Sequence, residues 1–134
     1  MIEVDFVIFY SILIVASTAT AHSSGGTSRI GYVTAKKINL SNVSKIRVVG
    51  NCSSARTSPG SAGVGIAVLS SQSLLNTAIV TKKIVTTVGN FDVSLDVSNL
   101  NSSYYIIMYA VEDMQNGYSN GSTGSGTFSK LMIK

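Results

Sequence analysis

The amino-acid sequence predicts an all-β fold, an antiparallel β-sandwich of about eight to ten short strands. In residues 91–97, apolar and polar side chains alternate, which is typical of a strand with one buried and one solvated face. After a short Ser/Asn turn, residues 104–111 form a nearly continuous aromatic and β-branched run, which predicts a strand covered on both faces. No segment has an apolar repeat of about 3.6 residues, the period of a helix.

The other strands follow in order between turns that are rich in Ser, Gly and Asn. They are predicted over residues 30–33, 45–49, 64–70, 78–87 and 127–133. Residues 52–63 are predicted to be a loop, which contains the only proline, Pro59. Gly63 and Gly65 indicate a bulge or a close backbone approach where the next strand begins.

The N-terminal segment is strongly apolar. Residues 1–29 are predicted to form an apolar strand segment, and residues 30–134 to form the sandwich domain. The apolar run at residues 6–16 is shorter than the about 20 residues that a membrane helix needs. An apolar outer face would need cover, either from the second sheet or from another subunit, and we expect this segment to take part in assembly.

A signal peptide is the alternative interpretation of the same segment. Residues 19–21 are Ala-Thr-Ala, which is typical of a cleavage site between small residues. Glu3 and Asp5 oppose this interpretation, because a signal peptide normally begins with positive charge and no Lys or Arg precedes the run. We therefore favour the strand.

The composition indicates a neutral, hydrogen-bonding surface. Only 12% of the residues are charged, whereas Ser, Thr and Asn number 22, 11 and 9. The net charge is +4, but the cations are scattered and no basic run exceeds two residues. We therefore expect no nucleic-acid partner and no membrane partner.

The sequence contains no convincing catalytic constellation. The single cysteine, Cys52, excludes an intramolecular disulfide framework, and the only histidine, His22, lies in a Ser/Gly stretch. Asp92 and Asp96 share one strand face but lie about 13 Å apart along it, too far for a glycosidase pair. We expect a protein that is not an enzyme and that has no cofactor and no metal site.

The candidate ligand-binding residues lie at the end of the aromatic strand and in the Gly/Ser/Asn loop that is predicted to follow it at residues 116–126. They are Glu112, Asp113, Asn116, Tyr118 and Asn120. Loops carry binding residues more often than strands do, and an exposed tyrosine among amides suits weak contact with a sugar or a protein. Alternatively, Tyr118 packs on the sandwich and the loop only closes it. Ca²⁺ binding by the two carboxylates is disfavoured, because no Asp-x-Asp spacing supports it.

The remaining tyrosines admit two interpretations. Tyr104, Tyr105 and Tyr109 could stack on sugar rings, or they could pack in the core or at its rim with their hydroxyl groups near the surface. We favour packing. The sequence has no tryptophan, which weakens a flat platform for a sugar.

Three stretches resemble a known family of modules. Residues 31–48 contain a lysine pair followed by Ile-Asn-Leu, a turn and a strand, and residues 64–71 form a second matching strand. Residues 91–106 contain Val-Ser-Leu-Asp-Val-Ser-Asn-Leu and then Ser-Tyr-Tyr-Ile. Together they resemble the jelly-roll β-sandwich module of phage virion surface proteins (head fibre, tail and decoration proteins), which is similar to carbohydrate-binding modules. The resemblance covers about residues 30–134 and carries structural motifs only.

This resemblance implies a jelly-roll-like sandwich with a surface role. We expect a non-enzymatic phage virion structural or surface protein, at the virion surface, that assembles with itself or with a capsid or tail protein. The alternative is a glycan-binding domain of a secreted or cell-wall protein, which would be extracellular. A chain of 134 residues that begins with its own Met1 fits a small stand-alone virion protein better than a module of a large hydrolase.

Overall fold

The computed structural model of the chain describes residues 7–19, 26–57, 61–73, 76–114 and 122–134. These residues form nine strands and one short 3₁₀ turn at Asn76–Ala78. The strands are β1 (Val7–Ala19), β2 (Gly26–Val33), β3 (Ile38–Asn39), β4 (Lys45–Ser54), β5 (Ser61–Leu69), β6 (Ile79–Val85), β7 (Gly89–Asp96), β8 (Ser103–Met114) and β9 (Ser122–Ile133). The prediction of an all-β fold is confirmed.

The strands form two antiparallel sheets. One sheet has the order β1-β9-β4-β7, and the other has the order β2-β8-β5-β6, with β3 following β2 along the same edge of β8. The pairing is nested: β1 pairs with β9, β2 and β3 with β8, β4 with β7, and β5 with β6. Two further pairings, β4 with β9 and β5 with β8, join these ribbons. This is the connectivity of a jelly roll, so the jelly-roll-like sandwich is confirmed.

The core lies between the two sheets. The exposure of β7 alternates as predicted, with Phe91 and Leu95 buried and Asp92 exposed. Phe91 packs edge-to-face on Phe128 of β9, with ring centroids 5.6 Å apart. Other buried members of this cluster are Leu40, Ile46, Val48, Val64, Ile66, Val68, Ile106 and Leu131.

Strand β8 is buried on both faces. Residues 106, 108 and 110 face the core between the sheets, whereas Ile107, Tyr109 and Val111 form a second cluster with Ala67 and Leu69 on the outer face of the five-stranded sheet. The prediction made from the continuous apolar run is therefore confirmed.

Two predicted loops are wrong in part. Residues 52–54 and 61–63 belong to β4 and β5, and residues 122–126 belong to β9. Small polar residues suggested turns there, but a Cβ on Gly124 would collide with the backbone of Gly63 and with the carbonyl oxygen of Val111. The glycine is thus required by the close approach of strands from the two sheets.

The apolar N-terminal run contributes a sheet strand over residues 7–19. Its register with β9 runs from Val7 opposite Ile133 to Ala19 opposite Ser122, with an irregularity between Tyr10 and Leu13. Residues 1–6 and 20–25 lie outside the described residues. The division of the chain at residue 29 and the assembly role of the segment remain predictions.

Candidate functional site

The loop site predicted from the sequence is only partly within the described residues. Asn116, Tyr118 and Asn120 lie outside them. Asp113 lies in β8, where its backbone is opposite Thr27 of β2 and Ser61 of β5. Glu112 precedes it in the same strand. A ligand site formed by these five residues therefore remains a prediction.

Glu112 is fully buried inside the sandwich. Its Oε1 atom lies 4.0 Å from a guanidinium nitrogen of Arg56. The backbone of Arg56 is fixed by two hydrogen bonds with Ala62, one in each direction, of 2.9 and 2.7 Å. Burying two charges is costly unless they interact, so the guanidinium compensates the carboxylate in this position.

Two further reactive side chains among the described residues, Cys52 and Tyr109, are held in the interior. Cys52 is fully buried, and burial raises the pKa of its thiol, with its Sγ 3.5 Å from the carbonyl oxygen of Ser54. Tyr109 is also buried, which raises its pKa to about 12 and keeps the phenol neutral. Tyr104 and Tyr105 are partly buried against the two apolar clusters. The packing interpretation of these three tyrosines is confirmed.

The described residues offer neither a cluster of metal ligands nor a membrane-spanning helix. They contain no group of three or more His, Cys, Asp or Glu side chains that could hold a metal ion. None of the helices in this part of the chain is long and apolar enough to span a bilayer.

On β4, β7 and β9 the outer face of the four-stranded sheet carries mostly polar side chains. Arg47 of β4 binds Asp92 of β7 with two parallel hydrogen bonds, and its Nε lies 2.7 Å from Oδ1. These hydrogen bonds lower the pKa of Asp92 and raise that of Arg47. On the same face, the hydroxyl groups of Ser53 and Ser125 are 2.7 Å apart.

A shallow depression of about 500 Å³ lies in this polar face, and we call it the amide depression. Its lining comprises Val49, Gly50, Asn51, Asn90, Phe91, Asp92, Thr127 and Ser129. Asn51 Nδ2 donates a hydrogen bond of 2.9 Å to Asn90 Oδ1. This bond orients both amides and leaves the amide oxygen of Asn51 and the NH₂ group of Asn90 at the rim. Such an acceptor–donor pair can bind neighbouring hydroxyl groups of a polyol or sugar.

Sequence reasoning missed the amide depression. The alternation of polar and apolar residues in β7 was visible in the sequence. Asn51, however, lay next to a predicted loop. Its position opposite Asn90 depends on the pairing of β4 with β7, two strands that are far apart in the chain. A Cβ on Gly50 would collide with the carbonyl oxygen of Thr127 and approach the Phe91 ring. The glycine thus allows β9 and the Phe91 ring to pack closely against β4 at the depression.

Among the side chains whose burial the structure describes, which exclude those of β1, exposed apolar ones concentrate on the edge strand β2. Ile30 and Tyr32 are each 52% exposed, and Val33 is also exposed. We call residues 30–33 the β2 edge. Large exposed apolar side chains elsewhere in the described residues are Val80 of β6 and Val88, which lie apart from this strand. An unprotected apolar edge is a surface that another chain can cover.

Comparisons with known proteins give a distant structural likeness. The crystal structure of the infectious bursal disease virus VP2 subviral particle is similar, with a TM-score of 0.48 and 11% sequence identity over 96% of this chain. The structure of the infectious bursal disease virus Gx strain is similar with the same TM-score, 12% identity and 96% coverage. The chain spans only 32% of the length of either protein. At this score the likeness says nothing about what the chain does.

Two other comparisons find no match. No family model and no curated protein matches the sequence. The jelly-roll connectivity follows from the strand pairing alone.

Proposed function

We propose that this protein is a non-enzymatic structural component of a virus particle, which assembles through protein–protein contacts along its sheet edges. The observation that carries the proposal is a jelly-roll connectivity combined with an exposed, apolar and almost uncharged β2 edge. Jelly rolls form viral capsid domains as well as lectin domains, so the fold admits this role without deciding it. The apolar edge favours assembly, because monomeric proteins usually protect such edges with charge, bulges or cover.

The resemblance of residues 30–134 to head-fibre, tail and decoration modules favours a bacteriophage particle. On this proposal the protein lies at the virion surface, and its partners are further copies of itself or a capsid or tail protein. Host adhesion is one role that such a surface module would have.

The state of the reactive groups supports a role without catalysis. The Cys52 thiol is buried and its pKa is raised, which disfavours a reactive thiolate. Asp92 is bound by Arg47, and Asp96 accepts hydrogen bonds from the backbone and hydroxyl group of Ser98. Both carboxylates thus have lowered pKa values, opposite to the raised value that a general acid requires.

The mass of the purified protein in solution tests this proposal. Sedimentation velocity and native mass spectrometry over a range of protein concentrations should give a defined oligomer larger than one chain. Electron microscopy of the same samples, alone and mixed with candidate capsid or tail proteins, should show regular assemblies. A chain that stays monomeric at every concentration and joins no virion protein would contradict the proposal.

Glycan binding is a second candidate function, and the amide depression favours it. Exposed amides and hydroxyl groups around a shallow floor suit a neutral saccharide, whose hydroxyl groups both donate and accept hydrogen bonds. Screening on a glycan array tests this function. Asn90→Ala should abolish any specific signal, whereas Asn101→Ala, a change at another exposed asparagine outside the depression, should leave it intact. An array without specific binding would contradict this second function and leave the structural role unaffected.

A further inference from the structure

The β2 edge has a defined pattern of open backbone groups. The N–H of Thr34 donates a hydrogen bond of 2.9 Å to the carbonyl oxygen of Ile106 on β8. In an antiparallel ladder, alternate residues bond to the same neighbour. Tyr32 and Ile30 therefore bond to β8, whereas Gly31 and Val33 direct their N–H and C=O groups away from it, toward the open edge.

The side chains of the β2 edge are left uncovered on the core side of the sheet. Ile30 is opposite Ala110 and Tyr32 is opposite Met108, and both of these β8 residues are buried in the core. The register thus places Ile30 and Tyr32 on the face that packs against the other sheet, yet each remains 52% exposed. β1 of the other sheet lies near β2 but leaves about half of each side chain exposed, and a chain added beside β2 would cover more of both.

We infer that this edge binds the same edge of a second copy, with the two β2 strands antiparallel about a two-fold axis at Gly31. The inference rests on the proposed assembly function and names its contact. In this register Gly31 is opposite Gly31 of the second copy, Ile30 is opposite its Tyr32, and Arg29 is opposite its Val33. The two five-stranded sheets become one continuous sheet.

The backbone and the side chains both favour this register. The outward N–H and C=O groups of Gly31 and Val33 are the ones that form hydrogen-bonded pairs across the axis. Ile30 and Tyr32 then fall in a pair without hydrogen bonds, where Cα atoms are only about 4.5 Å apart and side chains approach most closely. An aromatic residue beside a β-branched one is a stabilising cross-strand pair, and no like charges lie opposite each other.

Two other exposed edges are poorly suited to the same contact. β6 carries Lys82 and Lys83, both exposed, so a two-fold pairing centred on that strand brings positive charges together. β7 carries Asp92 and Asp96, which would lie opposite each other in a pairing centred on Ser94. Charged residues of this kind protect strand edges from self-association.

Cysteine cross-linking tests the register directly. In the double variant Ile30→Cys, Tyr32→Cys, each new thiol lies opposite one of the second copy, within reach of a disulfide. In either single variant the equivalent thiols are diagonal and about 7–8 Å apart, too far for a disulfide. Within one chain the two positions are roughly 6.7 Å apart, also too far for their Cβ atoms. Mild oxidation should therefore yield a covalent dimer, seen without reductant, for the double variant alone.

Charge introduced at the same positions gives a second measurement. Ile30→Lys combined with Tyr32→Lys should lower the mass of the native oligomer by disrupting this contact, with the circular dichroism spectrum retained. Val80→Lys, at an exposed valine on β6, should leave the mass unchanged. An oligomer whose mass survives the lysine pair, with no covalent dimer from the double cysteine variant, would refute the β2 contact and leave assembly standing. A native chain that is monomeric throughout would refute both.

Discussion

The edge strands on the two sides of the sandwich differ in charge. On one side β1 lies against β2, and the only charged residue in the two strands is Arg29. On the other side β6 lies against β7, and these strands carry Lys82, Lys83, Asp92 and Asp96. The charged side is protected against the addition of a strand, whereas the uncharged side is open to it. A protein that only had to remain soluble would gain by protecting both sides, so the difference supports the proposed contact on the uncharged side.

Removal of β1, one of the two strands of the uncharged side, should have the largest effect on folding and solubility. Deletion of residues 1–20 removes all of β1 and leaves β9 without its outer partner along its full length. Because β9 also supplies Phe128 and Leu131 to the core, we expect the truncated chain to be insoluble. Soluble yield and the circular dichroism spectrum measure this. A folded, monomeric truncated protein would instead make residues 1–20 a dispensable assembly element.

The next largest effect is expected on thermal stability. It should differ between two ion pairs, one inside the sandwich and one on its surface. Arg56→Ala leaves the fully buried carboxylate of Glu112 without that guanidinium, and losing one partner of a buried pair costs about 3 kcal/mol or more. Asp92→Ala removes the partner of Arg47 at a site where both side chains are about half exposed, and it should hardly change the melting temperature. Thermal unfolding of the two variants side by side measures the contrast. Equal melting temperatures would mean that water screens the inner pair as well.

The strands that could be predicted from the sequence are those in which local pattern and environment agree. The alternation of residues 91–97 and the continuous run of residues 104–111 correspond to a half-buried strand and a strand buried on both faces. Residues 52–54 and 122–126 were mistaken for loops, because small polar residues occur both in turns and where strands pack closely. Gly124 belongs to the second case, which only the tertiary structure reveals.

The candidate sites were harder to predict, because each depends on pairing between distant residues. Asn51 meets Asn90 only through the register of β4 and β7. The exposure of Tyr32 depends on where the opposite sheet ends, which no local pattern encodes. The loop with Tyr118 was chosen by composition alone, and its role is still a prediction.

The charged side can be made to resemble the uncharged one. Lys82→Thr combined with Lys83→Thr keeps residues with high β propensity while removing both positive charges from the β6 edge. We expect a concentration-dependent increase in light scattering, because the edge then lacks its protection against pairing. Lys45→Thr combined with Lys130→Thr removes the same number of charges from exposed lysines of β4 and β9, strands that are paired on both sides, and is the matched control. Equal scattering from both variants would show that net charge, and not the edge, governs solubility.

The smallest expected effect is a dependence on acid pH at the charged side. The guanidinium of Arg47 lowers the pKa of Asp92 below its ordinary value of 3.8. A carboxyl group with a lowered pKa in the folded state stabilises the fold above its unfolded pKa, and this contribution disappears as the pH falls through the folded value. The melting temperature of the native chain should therefore exceed that of Asp92→Asn by a small, constant amount near neutral pH. The difference should shrink once the pH falls below 3.8, and it should be small throughout because the pair is exposed to solvent. In an Arg47→Ala background the same Asp92→Asn substitution should give a weaker dependence on pH, because the guanidinium that lowers the pKa of Asp92 is gone. A difference that grows toward acid pH would mean that Asp92 is destabilising when ionised, and that the edge charges serve only to keep other chains away.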